Sequence, residues 1–337
     1  MNVAALPKAR AGARVGWPVV LPALLVLAFL AHISVGAKTV PLSTVVQALV
    51  DPVDGEFDHI IIWSLRLRRA VAAVMVGAGL AVAGALMQGV TRNPLAEPGL
   101  LGLLYGASFA VVVTVGFFGL AAPSWIPLIA AVGALAAAAL VWLIAAHAGG
   151  GSTPMTLILS GAAVTALLAA LVTLVNLLDE QTFEELRVWL TGTLAGRGGE
   201  VLLWAAPWML AGLVVALGAA RQVTALSMGD ETAVGLGVDV ARLRLLILFA
   251  VVVLTAGAVA IAGPMGFVGL VVPHMARMIF GHDYRLIVPT SAFCGAIFLL
   301  IADIVARMAL APIEISTGIV TALVGGPVFV WLVRTRL

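Results

Sequence analysis

Three arginines within four positions form the densest charge in an otherwise apolar chain: Arg66, Arg68 and Arg69, in the segment SLRLRR. One interpretation is a cap whose aliphatic stems lie on apolar surface while the guanidinium groups reach water. The other is a docking surface for an acidic partner, because charge complementarity speeds encounter and fixes the register of two proteins. A lone arginine would favour the cap, whereas the clustering favours docking.

A second pair of charges lies in an apolar run near the C-terminus. Asp303 and Arg307 are four positions apart, so on a helix they share a face and can pair. An unpaired charge at the centre of a bilayer costs about 2.5–3.5 kcal/mol. Two interpretations remain, namely a structural ion pair within one helix or an Arg307 that joins the arginine surface.

The polar segment SMGDETAVGL, Ser227–Leu236, is a candidate short helix. Ser227 is a candidate N-cap, and Asp230 with Glu231 would favour the positive N-terminal end of the helix dipole. An ordinary loop is the alternative. The functional interpretation is a helix that an ATP-driven cytoplasmic partner pushes.

Several kinds of chemistry have no residues to support them in this sequence. Only Lys8 and Lys38 are lysines, and neither lies in a glycine-rich loop, so a P-loop ATPase is excluded. The five histidines are scattered without an i,i+4 pair, which predicts no metal site. Cys294 is the single cysteine and therefore cannot form a disulfide within the chain. No catalytic residue, bound cofactor or nucleic-acid surface is predicted.

The composition is that of a membrane protein with many spans. Hydrophobic residues make up 63% of 337 positions and charged residues 10%, against about half and a quarter in soluble domains. Since a bilayer core needs about 20 apolar residues per helix, the sequence predicts an all-α protein with about ten spans in a single membrane domain, after a cytoplasmic tail at 1–16. The predicted spans are Trp17–Gly36, Ala70–Val90, Gly99–Gly119, Ile126–Ala146, Met155–Leu178, Val201–Ala219, Leu243–Ala262, Phe267–Phe280, Leu286–Leu310 and Ser316–Val333.

An even number of spans puts both termini on one side. With both termini in the cytoplasm, eleven of the eighteen lysines and arginines fall inside. Nine acidic residues then fall in external loops: Asp51, Asp54, Glu56, Asp58, Asp179, Glu180, Glu184, Glu185 and Glu200. The arginines at 66–69 then lie outside, against the general bias. Two short external helices are predicted, Thr39–Val50 and Thr182–Thr191, the second with a capping box of Thr182 and Glu185.

The stretch Ala260–Arg285 combines an apolar composition with helix breakers, which include Gly263, Pro264 and Pro273. Spanning helices tolerate breakers only where protein or a water-filled cavity satisfies the freed backbone groups. The stretch Ala81–Pro94 has the same spacing between an A-x-A-G and a proline on a span of opposite direction. This pattern predicts an inverted repeat, as found in many transporters, although coincidence in an Ala/Gly-rich chain is the alternative.

Four further motifs carry a family resemblance: RNPLAEPGLLG (Arg92–Gly102), GPMGFVGLVVPHMAR (Gly263–Arg277), ADIVAR (Ala302–Arg307) and EISTGIVTALVGGPVFVWL (Glu314–Leu332). In their order and spacing the chain resembles the FecCD family, the permease subunits of ABC importers for ferric siderophores, haem and cobalamin. The resemblance implies the type II ABC importer permease fold in a bacterial cytoplasmic (inner) membrane. It also implies a second permease copy or a paralogue, two cytoplasmic ATPase subunits that use ATP and Mg, and an external substrate-binding protein.

The resemblance also assigns roles to residues. Docking of the binding protein is implied for Arg66, Arg69 and Arg307. Coupling to the ATPase is implied for Ser227, Met228, Gly229, Asp230, Glu231, Thr232, Ala233, Val234, Gly235 and Leu236. A cytoplasmic gate is implied for Asn93 and Leu95 and for the loop that contains Ser152, Thr153 and Thr156. The chain departs from the family pattern at Arg68 and Ser316, where the family prefers proline.

The cargo follows less directly from the sequence. The segment AGPMGF is similar to siderophore permeases, whereas haem and cobalamin permeases more often carry GAIGF at that point. The sequence therefore favours ferric siderophores, with haem or cobalamin as alternatives. A rival of another class is a secondary transporter that uses an ion gradient through Asp303 and Glu314.

Overall fold

The computed structural model describes residues 13–36, 39–53, 55–118, 125–148, 154–178, 187–196 and 198–336. In those residues the regular elements are helices. The first half contains α1 (Ala13–Ser34), α2 (Leu42–Val50), α3 (Phe57–Ile61), α4 (Leu67–Thr91), α5 (Leu103–Phe118), α6 (Ile126–His147) and α7 (Pro154–Leu178). The second half contains α8 (Gly199–Ser227), α9 (Asp230–Gly235), α10 (Val240–Ala262), α11 (Val268–Phe280), α12 (Tyr284–Met308) and α13 (Thr317–Arg336). A π-helical turn, Ile62–Arg66, joins α3 to α4, and a 3₁₀ turn, Pro98–Leu101, precedes α5.

Each predicted span overlaps one of these helices, with bounds that differ by at most four residues except at the sixth span, where α8 continues eight residues beyond the predicted end at Ala219. In the described part of the chain, seven helices are long and apolar enough to cross a membrane, and α5, α11 and the apolar part of α13 are shorter. The external helix predicted at Thr39–Val50 is observed as α2, which begins after Pro41. Thr182 and Glu185, the predicted capping box, lie outside the described residues.

The helices α4 and α10 form the centre of the fold, since both are largely buried while α1 is largely exposed. Small residues allow this packing. A Cβ on Gly77 would overlap the carbonyl of Gly295 in α12, and a Cβ on Gly84 would overlap the carbonyl of Gly269 in α11. Close backbone approach at small residues is the usual way in which membrane helices associate, because dispersion replaces the hydrophobic effect there.

The predicted break in the second half is confirmed. Helix α10 ends at Ala262, Gly263 has φ +77°, and Phe267 has φ +68° immediately before α11. The carbonyl oxygen of Trp189 leaves no room for a Cβ on residue 263, which explains why that residue is glycine. By contrast, α4 runs without interruption to Thr91, so the two similar stretches differ in backbone conformation.

One prediction about the polar segment is wrong. Ser227 is the last residue of α8, and its hydroxyl donates to the carbonyl of Thr224 at 2.7 Å rather than capping the next helix. The N-cap of α9 is Gly229, with φ +126° and no side-chain cap hydrogen bond. The chain turns sharply there, and glycine adopts this backbone conformation without the steric cost of a Cβ.

Candidate docking and coupling sites

Asp303 is the centre of a buried polar cluster at one end of the bundle. Its side chain is fully buried, and its carboxylate pairs with Arg69 through two hydrogen bonds, Nε–Oδ2 at 2.8 Å and Nη2–Oδ1 at 3.1 Å. Thr317 donates to Oδ1 at 2.7 Å, and His32 Nε2 lies 2.8 Å from Oδ2. Helices α1, α4, α12 and α13 therefore meet at one carboxylate, and a bidentate arginine pair fixes their geometry.

Arg307 and Arg66 bind the end of α1. Arg307 pairs with Asp303 at 3.3 Å and donates to the carbonyls of Val35 at 2.9 Å and His32 at 3.1 Å. Arg66 donates to the carbonyl of Ser34 at 3.0 Å and to that of the preceding residue at 2.7 Å. The last carbonyls of a helix lack partners within it, and cations are favourable there, so both arginines complete the C-terminus of α1.

Arg69 differs from the other two because one edge of its guanidinium faces a more open region. Its Nη1 donates to Glu314 at 2.8 Å, and Glu314 is 45% exposed. Arg66 and Arg307 are only 8% and 6% exposed. Arg68 is exposed and lies beside Gly199. The sequence-predicted arginines thus come together, but as members of an internal network.

The i,i+4 pairing of Asp303 with Arg307 is confirmed. Sequence reasoning missed His32, which lies 271 positions from Asp303 in the sequence, and no local spacing signals that contact. A polar residue near the end of an apolar span was the available clue. In the described part of the chain no group of three His, Cys, Asp or Glu side chains could hold a metal ion.

A second charged site surrounds α9 at the opposite end of the bundle. Asp230 accepts from Arg92 and from Arg244, each at 2.8 Å. All three side chains are between 42% and 47% exposed. Arg92 ends α4 in the left-handed conformation, with φ +51°. The carboxylate therefore ties the first turn of α9 to the ends of α4 and α10.

The candidate gate adjoins this site. Asn93 Oδ1 accepts from the backbone amide of Leu95 at 2.9 Å, the Asx-turn geometry that holds the NPLA segment. Thr156 lies in the first turns of α7 and is partly buried, whereas Ser152 and Thr153 lie outside the described residues. Asn93 directly follows Arg92, and Arg92 is bonded to Asp230 of α9. The candidate gate is therefore next to the residue that contacts α9.

A cavity of about 1130 Å³ opens beside α9, between the end of α8 and the beginnings of α10 and α12. Its charged lining residues are Arg221, Asp239, Arg242, His282, Asp283 and Arg285. The two aspartates accept backbone hydrogen bonds at 3.0 Å and so cap α10 and α12. The three arginines exceed the two aspartates by one charge, and Arg285 Nε lies 3.6 Å from Asp283 Oδ2.

Glu97 connects the NPLA region to the break before α11. Burial raises the pKa of its carboxyl above the usual range, and a hydrogen bond from the Phe267 backbone lowers it by less. Gln88 makes a similar connection deeper in α4, since it donates to the Gly269 carbonyl at 3.2 Å and accepts from Arg277. Two polar side chains of the first half, Glu97 and Gln88, therefore contact the backbone of the second half at Phe267 and Gly269, next to the break.

Comparison with known proteins agrees with this architecture. The model of the FecCD transport family matches residues 24–335. The chain is 40% identical over 281 residues to the probable siderophore transport system permease protein YfiZ of Bacillus subtilis, with 83% of this chain and 84% of that protein covered. It is 42% identical to the iron(3+)-hydroxamate import system permease protein FhuB of the same organism, with 92% and 81% covered. It is 39% identical to the ferric enterobactin transport system permease protein FepD of Escherichia coli, with 93% of each covered.

A solved structure is similar over almost the whole chain. It is described as an inward-facing conformation of a metal-chelate type ABC transporter, and it superposes with a TM-score of 0.81 at 32% identity over 94% of this chain and 97% of that one. Both the sequence and the arrangement of helices are therefore shared with permeases of one family. The chain belongs to the FecCD transport family.

Proposed function

We propose that this chain is the permease subunit of an ATP-driven ABC importer whose cargo is a ferric siderophore. The observation that carries the proposal is the family match over residues 24–335, together with relatives named for siderophore, hydroxamate and enterobactin transport. The iron chelate is cargo, and the permease supplies a path rather than covalent chemistry. ATP and Mg are used by the separate ATPase subunit.

The proposed assembly follows the family. Two permeases, identical or paralogous, form the path in a bacterial cytoplasmic membrane, with both termini inside. Each has the ten-span type II fold with its inverted repeat. ATPase subunits bind on the cytoplasmic side, and a substrate-binding protein docks outside.

Docking is assigned to Arg66, Arg69 and Arg307. Their hydrogen bonds indicate that the three arginines contribute to docking in two different ways. Arg66 and Arg307 bind the carbonyls at the end of α1 and so hold the external ends of the helices together. Arg69 directs Nη1 toward a half-exposed carboxylate, so it is the arginine best placed to receive an acidic side chain of the partner.

Coupling is assigned to residues 227–236. A movement of α9 would reach the NPLA turn through Asp230 and Arg92, and would reach α10 through Arg244. That linkage supports a gate at Asn93 and Leu95, to which the family pattern adds Ser152, Thr153 and Thr156. In alternating access, such a linkage converts ATP binding into a change in the opening of the path.

Cargo class is tested with the complete transporter in vesicles supplied with ATP. Uptake of radioactive iron would be measured for ferric hydroxamate, ferric catecholate and ferric citrate, and uptake of haem and cobalamin would be measured beside them. We expect uptake of one of the ferric chelates and no uptake of haem or of cobalamin. Selective uptake of haem or of cobalamin would contradict the siderophore assignment and leave the importer class intact.

Docking is tested by replacing Arg66, Arg69 and Arg307 together with Glu. We expect loss of binding-protein docking, because residue 69 then repels an acidic partner and the end of α1 loses the donors from residues 66 and 307 that hold it. Co-purification of the triple variant with the ATPase, which binds the opposite face, controls for folding. Unchanged docking by a folded triple variant would reject the assigned role.

A further inference from the structure

We propose that Glu314 is an internal competitor for the docking partner: its carboxylate occupies Arg69 until a carboxylate of the binding protein replaces it. This inference rests on the docking role proposed above and adds a residue to it. The occupant of the exchanged position is an Asp or Glu side chain on the partner protein.

The geometry of Arg69 separates an inner carboxylate from an outer one. The inner carboxylate, Asp303, is fully buried and takes both Nε and Nη2. The outer carboxylate, Glu314, takes Nη1 alone and is 45% exposed. A buried charge that loses its partner is strongly destabilised, whereas an exposed pair contributes little and exchanges readily. Exchange at Arg69 is therefore confined to the outer position.

The surrounding backbone allows Glu314 to leave by rotation of its side chain alone. The next residue, Ile315, donates its backbone amide to the Ala306 carbonyl at 2.9 Å. Ser316 shares a hydrogen bond of 2.7 Å with Thr191. These contacts fix the chain immediately after Glu314, while the Glu314 side chain itself is 45% exposed. The competing carboxylate is thus tethered at high local concentration without being built into the core.

Glu314 also limits the charge that the docking surface presents. The network contains three arginines, Arg66, Arg69 and Arg307, and two carboxylates, Asp303 and Glu314. Neutralising Glu314 therefore raises the formal charge of this network by one unit. A larger positive charge attracts an acidic partner more strongly and raises the association rate.

The same segment is linked by backbone hydrogen bonds to the broken helix. Gly318, in the first turn of α13, donates to the Gly192 carbonyl at 2.7 Å, and Thr193 donates to the Ala262 carbonyl at 2.8 Å. Ala262 immediately precedes the break at Gly263. A continuous set of backbone contacts therefore joins the segment after Glu314 to the residue before the break, and these contacts stay in place when the Glu314 side chain is displaced.

The test measures the affinity of the cognate binding protein, loaded with its iron chelate, for the permease–ATPase complex held in lipid nanodiscs. Glu314→Gln removes the competing charge and keeps the side-chain volume. Glu200→Gln is the matched control, since Glu200 is an exposed acid in the first turn of α8. We expect Glu314→Gln to tighten binding by about fivefold, the size of one exposed ion pair, and Glu200→Gln to leave the affinity unchanged. The gain should shrink at high ionic strength.

Equal or weaker binding by Glu314→Gln would overturn the competitor role, and weaker binding would show instead that Glu314 orients Arg69 for the partner. Arg69→Gln distinguishes this failure from failure of the docking proposal. If wild type binds and an Arg69→Gln variant that still co-purifies with the ATPase does not, docking through Arg69 stands and only the Glu314 inference is rejected. If Arg69→Gln binds as tightly as wild type, both are rejected.

Discussion

The two ends of the molecule contain the same arrangement of charges in different surroundings. At one end Asp303 lies between Arg69 and Arg307, and at the other Asp230 lies between Arg92 and Arg244. Both aspartates have an arginine nitrogen at 2.8 Å. Asp303 is fully buried, however, whereas Asp230 is 43% exposed. Distance alone therefore does not indicate what an ion pair contributes, because burial decides whether breaking it leaves a charge without water.

The difference fits the roles proposed for the two ends. A surface on which a partner docks benefits from helices held in fixed positions, and Asp303 joins four of them. A coupling element must move at modest cost, and exposed ion pairs can break and re-form in water. The comparison predicts that substitutions at Asp303 change stability, while substitutions at Asp230 change coupling.

The largest effect is expected for Asp303→Ala. It leaves Arg69 and Arg307 without their shared buried carboxylate, so we expect a loss of about 3–5 kcal/mol in the free energy of unfolding. The measurement is thermal unfolding of the detergent-purified chain. Asp230→Ala is the matched control, and a comparable loss there would break the distinction between the two ends.

A smaller effect is expected for Arg66→Met, which keeps the aliphatic stem but removes the donors to the end of α1. Hydrogen bonds from charged groups contribute about 1.5–3 kcal/mol, and we expect destabilisation of that size. Its control is Arg68→Met, at an exposed position two residues on. Thermal unfolding checks both, and equal melting temperatures would show that Arg66 does not hold α1.

At the other end, Asp230→Asn should cost at most about 1 kcal/mol of stability, because its partners are exposed. Instead, we expect fewer chelates transported per ATP hydrolysed in the reconstituted transporter, since α9 loses its ties to α4 and α10. Glu200→Gln, at an exposed acid in the first turn of α8 and outside the coupling segment, is the control. If Asp230→Asn transported as many chelates per ATP as wild type, the ion pairs of Asp230 would not contribute to coupling.

The smallest effect is expected for Arg244→Gln, which removes one of the two partners of Asp230. We expect a stability change of a few tenths of a kcal/mol that disappears as salt is raised, because both groups are solvated and screened. Thermal unfolding at low and high ionic strength measures it. A large change that is insensitive to salt would show that this end is buried more deeply than its exposure indicates.

The sequence predicted the helices better than the contacts between them. Apolar length placed each span, and the glycines and prolines at 263–273 predicted the break, because both signals are local. Ser227 was wrongly predicted as an N-cap. The sequence alone does not distinguish a serine that ends one helix from a serine that caps the next. Gly229 was the stronger signal for the turn.

In the candidate sites, too, local contacts were predicted from the sequence and contacts between distant helices were not. The i,i+4 spacing predicted the pairing of Asp303 with Arg307, and the docking role that the family resemblance implies for Arg66 and Arg69 stays a prediction. His32 and Thr317 could not be predicted as partners of Asp303, because only tertiary packing brings α1 and α13 to the end of α12. The burial of the arginines was equally invisible, since the clustering of charge in SLRLRR is compatible with either an exposed or an internal network.

The central claim is that transport through this chain is driven by ATP hydrolysed on another subunit. The most direct measurement is chelate uptake by sealed vesicles that contain either this chain alone or the chain with its ATPase subunit and binding protein. We predict uptake only by the complete assembly and only with ATP inside the compartment that the ATPase faces. Uptake by the chain alone, driven by a proton or ion gradient without ATP, would contradict the account and favour a secondary transporter.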